Sequence, residues 1–551
     1  MAKSTTSTST STSTSTSPST STTTTNAFAG VTSGQALAAA AVVVGAVGAY
    51  LYWRKTSSKP PPPRSTPKPT LSGSAGAAAA GKGASTSGDA APRASSTYAH
   101  GRVPSAAAAK AIASVESAYG ASIEVLRGIV NSMMQEMRKG LAKENGAAMK
   151  MIISHVSNLP TGKEKGRFLA LDLGGSNFRV LLLTLDGHGQ CKSESDKYVL
   201  TQELMTGTGE SLFDFIAESV QGFLESRGIT ETLPLGFTFS FPVQQESINS
   251  GKLIRWTKGF HASGVEGQDV GRLLNEAFAR KGIKVNVAAI VNDTVGTQIA
   301  RCLDDQNCYV GLILGTGSNT CYLEDVTAIP KWTGPAPKTG KVIINMEWGA
   351  FDDEIQRLPY TPHDRTMDAA SINRGQQLFE KMISGMYLGE ISRLVAVELA
   401  ESGQLFQGTL TSKFREVQAF KTAMMSEIES DDTVDLSLTR DLLHREFGLP
   451  LNKITIDDRM IIKRICELVS TRAARIAAAG IVAVATKIAK THDCTVAVDG
   501  TLFQRYPNFE HRLTAAVAEL LPGISTKIHF KRSEDGSGKG AALVAALAQT
   551  Q

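Results

Sequence analysis

Residues 1–88 contain no aspartate or glutamate, yet they hold seven lysines and arginines. Subtracting those seven from the chain's net charge of +5 leaves the remaining 463 residues at −2. The basic character is therefore local, and the body shows no charge excess of the kind that marks a nucleic-acid-binding surface. Cysteine is scarce, with six in 551 residues: Cys191, Cys302, Cys308, Cys321, Cys466 and Cys494. None forms a C-x-x-C pair, which excludes the common zinc and dithiol motifs. Cys302 and Cys308 are close enough in sequence to meet, but the pattern reads as a reduced, cytosol-like compartment. In that setting the "NDT" at Asn292 is a chance glycosylation sequon between apolar neighbours. The nine histidines are scattered without metal-ligand spacing. No G-x-S-x-G elbow supports a hydrolase. "EDGSGKGAAL" (534–543) is not a Walker A loop, because Gly540 follows Lys539 where Ser or Thr is required. It opens either a helix facing an anion or a plain helix.

What is present divides the chain. At 551 residues and 42% hydrophobic, it suits two or three packed units. Residues 4–25 are Ser and Thr interrupted only by Pro18, so 1–35 reads as disordered. "ALAAAAVVVGAVGAYLYW" (36–53) is uncharged and, as a helix, spans about 27 Å. Tyr50, Tyr52 and Trp53 then form an interfacial belt before Arg54 and Lys55. Segment 36–55 thus reads as a membrane anchor that leaves the body in the cytosol, or alternatively as a cleaved transit segment. Residues 56–103, rich in Pro, Ala and Ser, form a linker.

Beyond Pro104, Ile123, Leu126, Val130, Met133, Met134, Met137 and Leu141 recur at helical spacing. Strands are expected over 168–173, 178–185, 235–241, 285–291, 309–314, 320–323, 341–346 and 495–498. A long helix is expected over about 458–490. The mixture indicates an α/β fold. Gly175-Ser176-Asn177 recurs 142 residues later as Gly317-Ser318-Asn319, each between two strands, which suggests a duplicated architecture.

"LALDLGGSNFRVLLL" (169–183) places Asp172 inside an apolar strand, where an unpaired charge costs roughly several kcal/mol. Gly174 and Gly175 let backbone amides approach a phosphate, Ser176 and Thr316 add hydroxyls, and Arg179 adds charge. Asp172 would then be paired by a hydrated Mg²⁺ on a nucleotide. A hairpin with a solvated Asp is the competing reading. Further on, Ser240 interrupts an apolar strand and Thr257-Lys258 follow Trp256. Asn292-Asp293 end another strand, Glu347 follows a third, and Gln377 and Glu380 lie in "QQLFEKM". Such amides, carboxylates and hydroxyls suit sugar hydroxyls. Asp293 is the general-base candidate, because phosphoryl transfer needs positioning, charge neutralisation and one proton acceptor.

Seven segments together resemble the hexokinase family: "LALDLGGSNFRV", "FTFSFPVQQESINSGKLIRWTKGF", "VNDTVGT", "LILGTGSNTCYLE", "INMEWGAF", "LFEKMISGMYLGE" and "VAVDGTLFQRYPNF". They occur in the family's order over about 106–548, and the anchored plant and algal type is the nearest likeness. The resemblance implies a two-lobed, actin-like ATPase (ribonuclease H-like) fold with a sugar and ATP cleft. The small domain would be 165–294 with the C-terminal helix 536–551, and the large domain 104–164 and 295–535. It implies ATP and Mg²⁺ as cofactors and transfer of the γ-phosphoryl group to the 6-hydroxyl of glucose and of related hexoses such as mannose and fructose, at the start of glycolysis. Asp293 would be the base. Ser240, Thr257, Lys258, Asn292, Asn319, Glu347, Gln377 and Glu380 would hold the hexose. Asp172, Gly174, Gly175, Ser176, Asn177 and Arg179 match the first phosphate motif, with Asp172 meeting the metal through water and the ATP phosphates. Gly315, Thr316 and Gly317 match the second, and Asp499, Gly500 and Thr501 match the adenosine motif. Ser176 stands where the family commonly has Thr, which keeps the hydroxyl. The expected setting is the cytosolic face of the mitochondrial outer membrane, with a plastid or the free cytosol as alternatives. A catalytically weak hexose sensor of the same fold and a sugar-independent ATPase are the rival functions. No nucleic-acid partner is expected.

Overall fold

The computed structural model describes residues 103–175, 177–522, 528–533 and 535–549. The expected Ser/Thr tract, the anchor or transit segment, all but the end of the linker, and Ser176 lie outside them. The strands in chain order are β1 (Ile152–Ile153), β2 (Lys165–Leu173), β3 (Asn177–Asp186), β4 (Cys191–Val199), β5 (Leu233–Phe239), β6 (Val243–Ser247), β7 (Ser250–Leu253) and β8 (Val285–Val291). They continue with β9 (Cys308–Leu314), β10 (Ser318–Asp325), β11 (Lys341–Asn345), β12 (Cys494–Asp499) and β13 (Ile528–Arg532).

These form two large sheets of one design. The first runs β4-β3-β2-β5-β8, and the second β11-β10-β9-β12-β13, with β1 added at the β11 edge. In the first, β2–β3 and β3–β4 are antiparallel while β2–β5 and β5–β8 are parallel. In the second, β9–β10 and β10–β11 are antiparallel while β9–β12 and β12–β13 are parallel. Gly175 and Gly317 occupy the same place, the turn joining the first two strands of each sheet. The duplication suggested by three residues extends to the whole topology.

Strand alternation decides where the acidic residues point. In β2, Leu169, Leu171 and Leu173 join the core on one face, while Phe168 and Ala170 join a second core on the other. Both faces are covered, so β2 reads as a continuous apolar run. Asp172 shares the parity of Ala170 and faces the second core. In β12, Val496 and Val498 face one core and Ala497 the opposite face, which Asp499 shares.

Each half ends in a helix that packs on the sheet of the other. The helix Asp293–Cys302 follows β8 and lies on β9, β10 and β12. The helix Gly536–Ala548 follows β13 and lies on β2, β5 and β8. The two cross each other at glycine. A Cβ on Gly540 would stand 1.9 Å from the Gly296 carbonyl oxygen, so only hydrogen fits there.

The helix Ile123–Ala142, expected from its periodicity, and the helix Ala106–Tyr119 before it both start at Ser caps. The long helix is Ile456–Lys487, opened by a Thr455–Asp458 capping box. Among the described residues it is the one helix long and apolar enough to cross a membrane, but 89% of its apolar window is buried inside the body. Its apolar surface serves the core of the second half. There Arg472 and Asp364, both fully buried, form a bidentate pair at 2.7 Å. The expected strand 235–241 lies instead at Leu233–Phe239, so Ser240 stands just past its end, its amide still donating to the Leu173 carbonyl at 3.2 Å.

Candidate active site

The site forms where the ends of β2, β5, β8, β9 and β12 converge. Asn292 caps the helix Asp293–Cys302: its Oδ1 accepts from the Thr294 amide at 2.9 Å and from the Thr294 hydroxyl at 2.6 Å. Asp293 is the next residue, at the first helical position, and accepts the same amide at 2.9 Å. Burial pushes its carboxyl above the usual carboxylate range, and Asp172 adds to this. The Lys258 ammonium, a hydrogen bond from Ser240 and the Thr294 amide oppose the rise. Lys258 is anchored by its Nζ, which donates to the Ser240 carbonyl at 2.7 Å. Thr257 precedes it and turns the chain by accepting the Phe260 amide at 3.1 Å.

A second acidic group comes from the other half. Asn319 Nδ2 donates to Glu347 Oε1 at 3.0 Å and to Asn345 Oδ1 at 2.8 Å, and Asn345 Nδ2 donates to Glu347 Oε1 at 2.9 Å. Glu380 Oε2 accepts the Ser318 amide at 2.8 Å. Burial raises both carboxyls, that of Glu380 to about 7. Lys258 acts on both from the first half. The carboxamide oxygen of Gln377 lies over Gly349, 2.1 Å from where a Cβ would stand. Lys258, Glu347 and Gln377 all have left-handed backbones, with φ of 57°, 54° and 59°. Such strain persists only where surrounding contacts over-determine it, and it gathers at functional sites.

The opening expectation for Asp172 changes. Asp172 and Arg179 are register partners across β2 and β3, and Arg179 Nη2 donates to Asp172 Oδ2 at 2.6 Å. Ser537, in the first turn of the helix Gly536–Ala548, donates to the same oxygen at 2.9 Å. Arg179 also meets Asp535 at 2.5 Å. The carboxylate is therefore paired within the protein, and the "GSGKG" helix start faces this side chain. Asp499, at the end of β12, accepts the Gly500 amide at 2.7 Å and is raised by burial, with Asp293 and Asp172 adding and Arg179 opposing. Asp172, Asp293 and Asp499 thus feel one another across the junction of the halves.

The turns differ. A Cβ on Gly175 would meet nothing within 4 Å, and one on Gly174 only Ser240 at 3.8 Å. Asn177 begins β3, exposed beside that turn. Gly315 packs on Gly500, whose φ of 119° excludes a side chain, and Thr501 follows it exposed. Gly317 lies under Glu380. The Gly315 and Thr316 carbonyls accept the Gly385 and Met386 amides at 2.8 and 3.1 Å. Asn345 and the Gly385–Met386 contact escaped the sequence reading. Asn345 is the second residue of the quoted "INMEWGAF", but as the last residue of an apolar strand it resembled an ordinary strand end.

Family comparison decides the class. The hexokinase family is matched by two models, one over residues 111–303 and one over 309–547. The chain belongs to the hexokinase family. Hexokinase-5 of Oryza sativa subsp. japonica is 41% identical over 456 residues, 80% of this chain and 89% of that protein. Hexokinase-1 of Spinacia oleracea is 43% identical over 443 residues, 78% and 88% of the two chains. The structure of the Schistosoma mansoni hexokinase complexed with glucose matches with a TM-score of 0.74 at 39% identity, covering 80% of this chain and 99% of that one. The enzyme is an ATP-dependent hexose phosphotransferase with the actin-like ATPase fold.

Proposed function

We propose that the enzyme transfers the γ-phosphoryl group of ATP to the 6-hydroxyl of glucose and related hexoses, with Asp293 accepting the hydroxyl proton. The observation that carries this is the placement of Asp293. It stands at a helix start near Asp172, bonded by Ser240 and in the field of Lys258. A raised pKa makes the carboxylate a stronger base, and Lys258 and the two hydrogen bonds favour its charged form. The oxygen attacks phosphorus as its proton passes to Asp293, and the bond from phosphorus to the ADP oxygen breaks. Asn319, Glu347, Glu380 and Gln377 from one half, and Ser240, Thr257, Lys258 and Asn292 from the other, present hydrogen-bonding groups to the sugar hydroxyls. The glucose complex of the Schistosoma mansoni relative supports glucose as a substrate.

The phosphates would lie against the open turn at Gly174–Gly175, with Thr316 opposite and Asp499-Gly500-Thr501 alongside. Mg²⁺ prefers hard oxygen donors, and the carboxylates of Asp499 and of Asp172, which Arg179 and Ser537 engage through Oδ2, would face it from the two sheets. Among the described residues no group of three or more His, Cys, Asp or Glu could hold a metal alone. That suits an ion held through water and the ATP phosphates. When bound, Mg²⁺ would neutralise charge on the phosphates during transfer. Two lobes, 165–294 with the last helix and 104–164 with 295–535, would close on the sugar and exclude water.

A coupled assay with glucose, fructose, mannose and no sugar tests the reading. Hexose-dependent ADP release is expected. Sugar-independent release points to a plain ATPase, and binding without release to a sensor. Near-normal turnover in Asp293→Ala would remove Asp293 as the base.

For the N-terminal segment, the 18 uncharged residues Ala36–Trp53 followed by Arg54-Lys55 support membrane attachment with the body in the cytosol, and the mitochondrial outer membrane is the proposed site. Imaging full-length and 56–551 fusions tests this. A cytosolic truncated form beside a membrane-bound full-length form is expected, and stromal import would reverse it.

A further inference from the structure

The helix Leu378–Ile383 carries Glu380 at its third position and follows Gln377, yet it has no side-chain cap of its own. The cap comes from elsewhere in the chain. Asp353 Oδ1 accepts the Leu378 amide at 2.9 Å and Asp353 Oδ2 the Gln377 amide at 3.2 Å. Asp353 ends the loop that starts at Glu347 and contains Gly349, the glycine under the Gln377 carboxamide. One short loop therefore supplies Glu347, supports the Gln377 side chain and grips the Gln377 backbone. Its neighbour Asp352 makes the loop rigid, accepting the amides of Gln356, Arg357 and Leu358 at 2.7–2.9 Å. From the far side, Lys381 Nζ ties the preceding segment down through Asp368 at 2.6 Å and the Asn373 carbonyl at 2.9 Å.

We infer that Asp353 is a positioning residue for the hexose, holding Gln377 in its left-handed conformation and aligning Glu380 with Glu347 by accepting both amides. The inference rests on the hexose site set out above. A φ of 59° at a non-glycine residue relaxes unless something holds it, and a carboxylate bonded to two consecutive amides is well suited to that. Burial, together with nearby Glu136, raises the Asp353 carboxyl to about 6, opposed by the two amides and Lys381. It remains charged, and a full double acceptor, at neutral pH. The two amides lie on the sugar side, whereas the helix they open reaches the second glycine turn further along, through Glu380 and the Ser318 amide. Loss of the grip should therefore appear more strongly in hexose binding than in nucleotide binding.

The wild-type enzyme is first assayed with and without glucose, which tests the hexose reading independently. Asp353→Asn is then compared with it. The amide side chain keeps the shape but supplies one acceptor oxygen for two amides. The glucose KM is expected to rise roughly tenfold with kcat and the ATP KM within about threefold, the split that marks lost substrate positioning. Hydrogen exchange of the Gln377 and Leu378 amides should accelerate, and glucose should slow it again. Asp353→Glu, which restores the carboxylate one methylene further out, should recover part of the glucose KM. The inference is overturned if the glucose KM stays within twofold, or if the glucose and ATP KM values rise together. It also falls if neither variant is a folded protein, since Asp353 would then serve the fold alone.

Discussion

The two halves share a strand order and a turn sequence but not a chemistry. Aligned on Gly-Ser-Asn, Asp172 of the first half corresponds to Leu314 of the second, and Arg179 to Cys321. A half-buried ion pair beside one turn is thus replaced by two fully buried apolar positions beside the other. The first turn has glycines that nothing crowds, while the second is packed under Gly500 and Glu380. Each half also ends in a strand followed by an acidic helix start, Asp293 after β8 and Asp535 after β13. Asp535 is consumed by Arg179, whereas Asp293 is left with hydrogen bonds and a lysine field. A duplicated scaffold supplies two similar surfaces, and the chemistry comes from the positions where the copies no longer agree.

The largest test of that contrast compares the paired aspartates. Asp293→Ala should lower kcat by roughly 10²–10⁴-fold. Asp535→Ala should lower it less than about tenfold, since it removes one of two carboxylates on Arg179. Equal losses in a steady-state assay would mean that the two positions have not diverged. Next is the fully buried Arg472–Asp364 pair of the second half. Arg472→Met leaves Asp364 charged and unpaired, and should destabilise the fold by about 3–5 kcal/mol in thermal or denaturant unfolding.

The turns give a smaller and more selective contrast. Gly500→Ala forces a side chain into a left-handed backbone with its Cβ 2.3 Å from the Leu314 carbonyl oxygen, and should cost roughly 2 kcal/mol or more. Gly175→Ala should cost less than about 0.5 kcal/mol but raise the ATP KM. A structural penalty at Gly175 would show that its turn serves packing. The mildest effect is in pH. Glu380 is raised from 4.5 to about 7, so its carboxylate is charged only above that value. As pH falls through 7 it gains a proton and loses acceptor capacity, so the hexose KM should rise, and Glu380→Gln should flatten that limb. The same shift means the folded state binds this proton more tightly than the unfolded chain. The group's contribution to stability therefore declines as pH rises from about 4.5 to 7.

Much of the first-half sheet was legible because its strands are apolar runs ended by turns. β8 was read at 285–291, where it lies, and β2 and β3 within a few residues. β4 was missed because Cys191–Val199 is a polar edge strand with no apolar face to reveal it. β6, β7 and β13 are short and mixed in polarity, and gave no period either. At the site, Ser240 stood out as a polar interruption of an apolar strand, Asp293 at the end of another and Lys258 after Trp256, and their convergence follows from the tertiary fold. Asp172 was found for the same reason, but its partner was not. Arg179 lies opposite it only because β2 and β3 pair in that register.

The order of residues alone determined the apolar strands, the glycine turns and the polar groups that end them, because these depend on local periodicity and on what a buried strand tolerates. The tertiary structure decided which carboxylates would meet, which would be neutralised and which would stay reactive. Register, helix exchange between halves and left-handed backbones at Lys258, Glu347 and Gln377 bring together groups more than a hundred residues apart, and each group's pKa is set by neighbours that no local stretch of sequence contains.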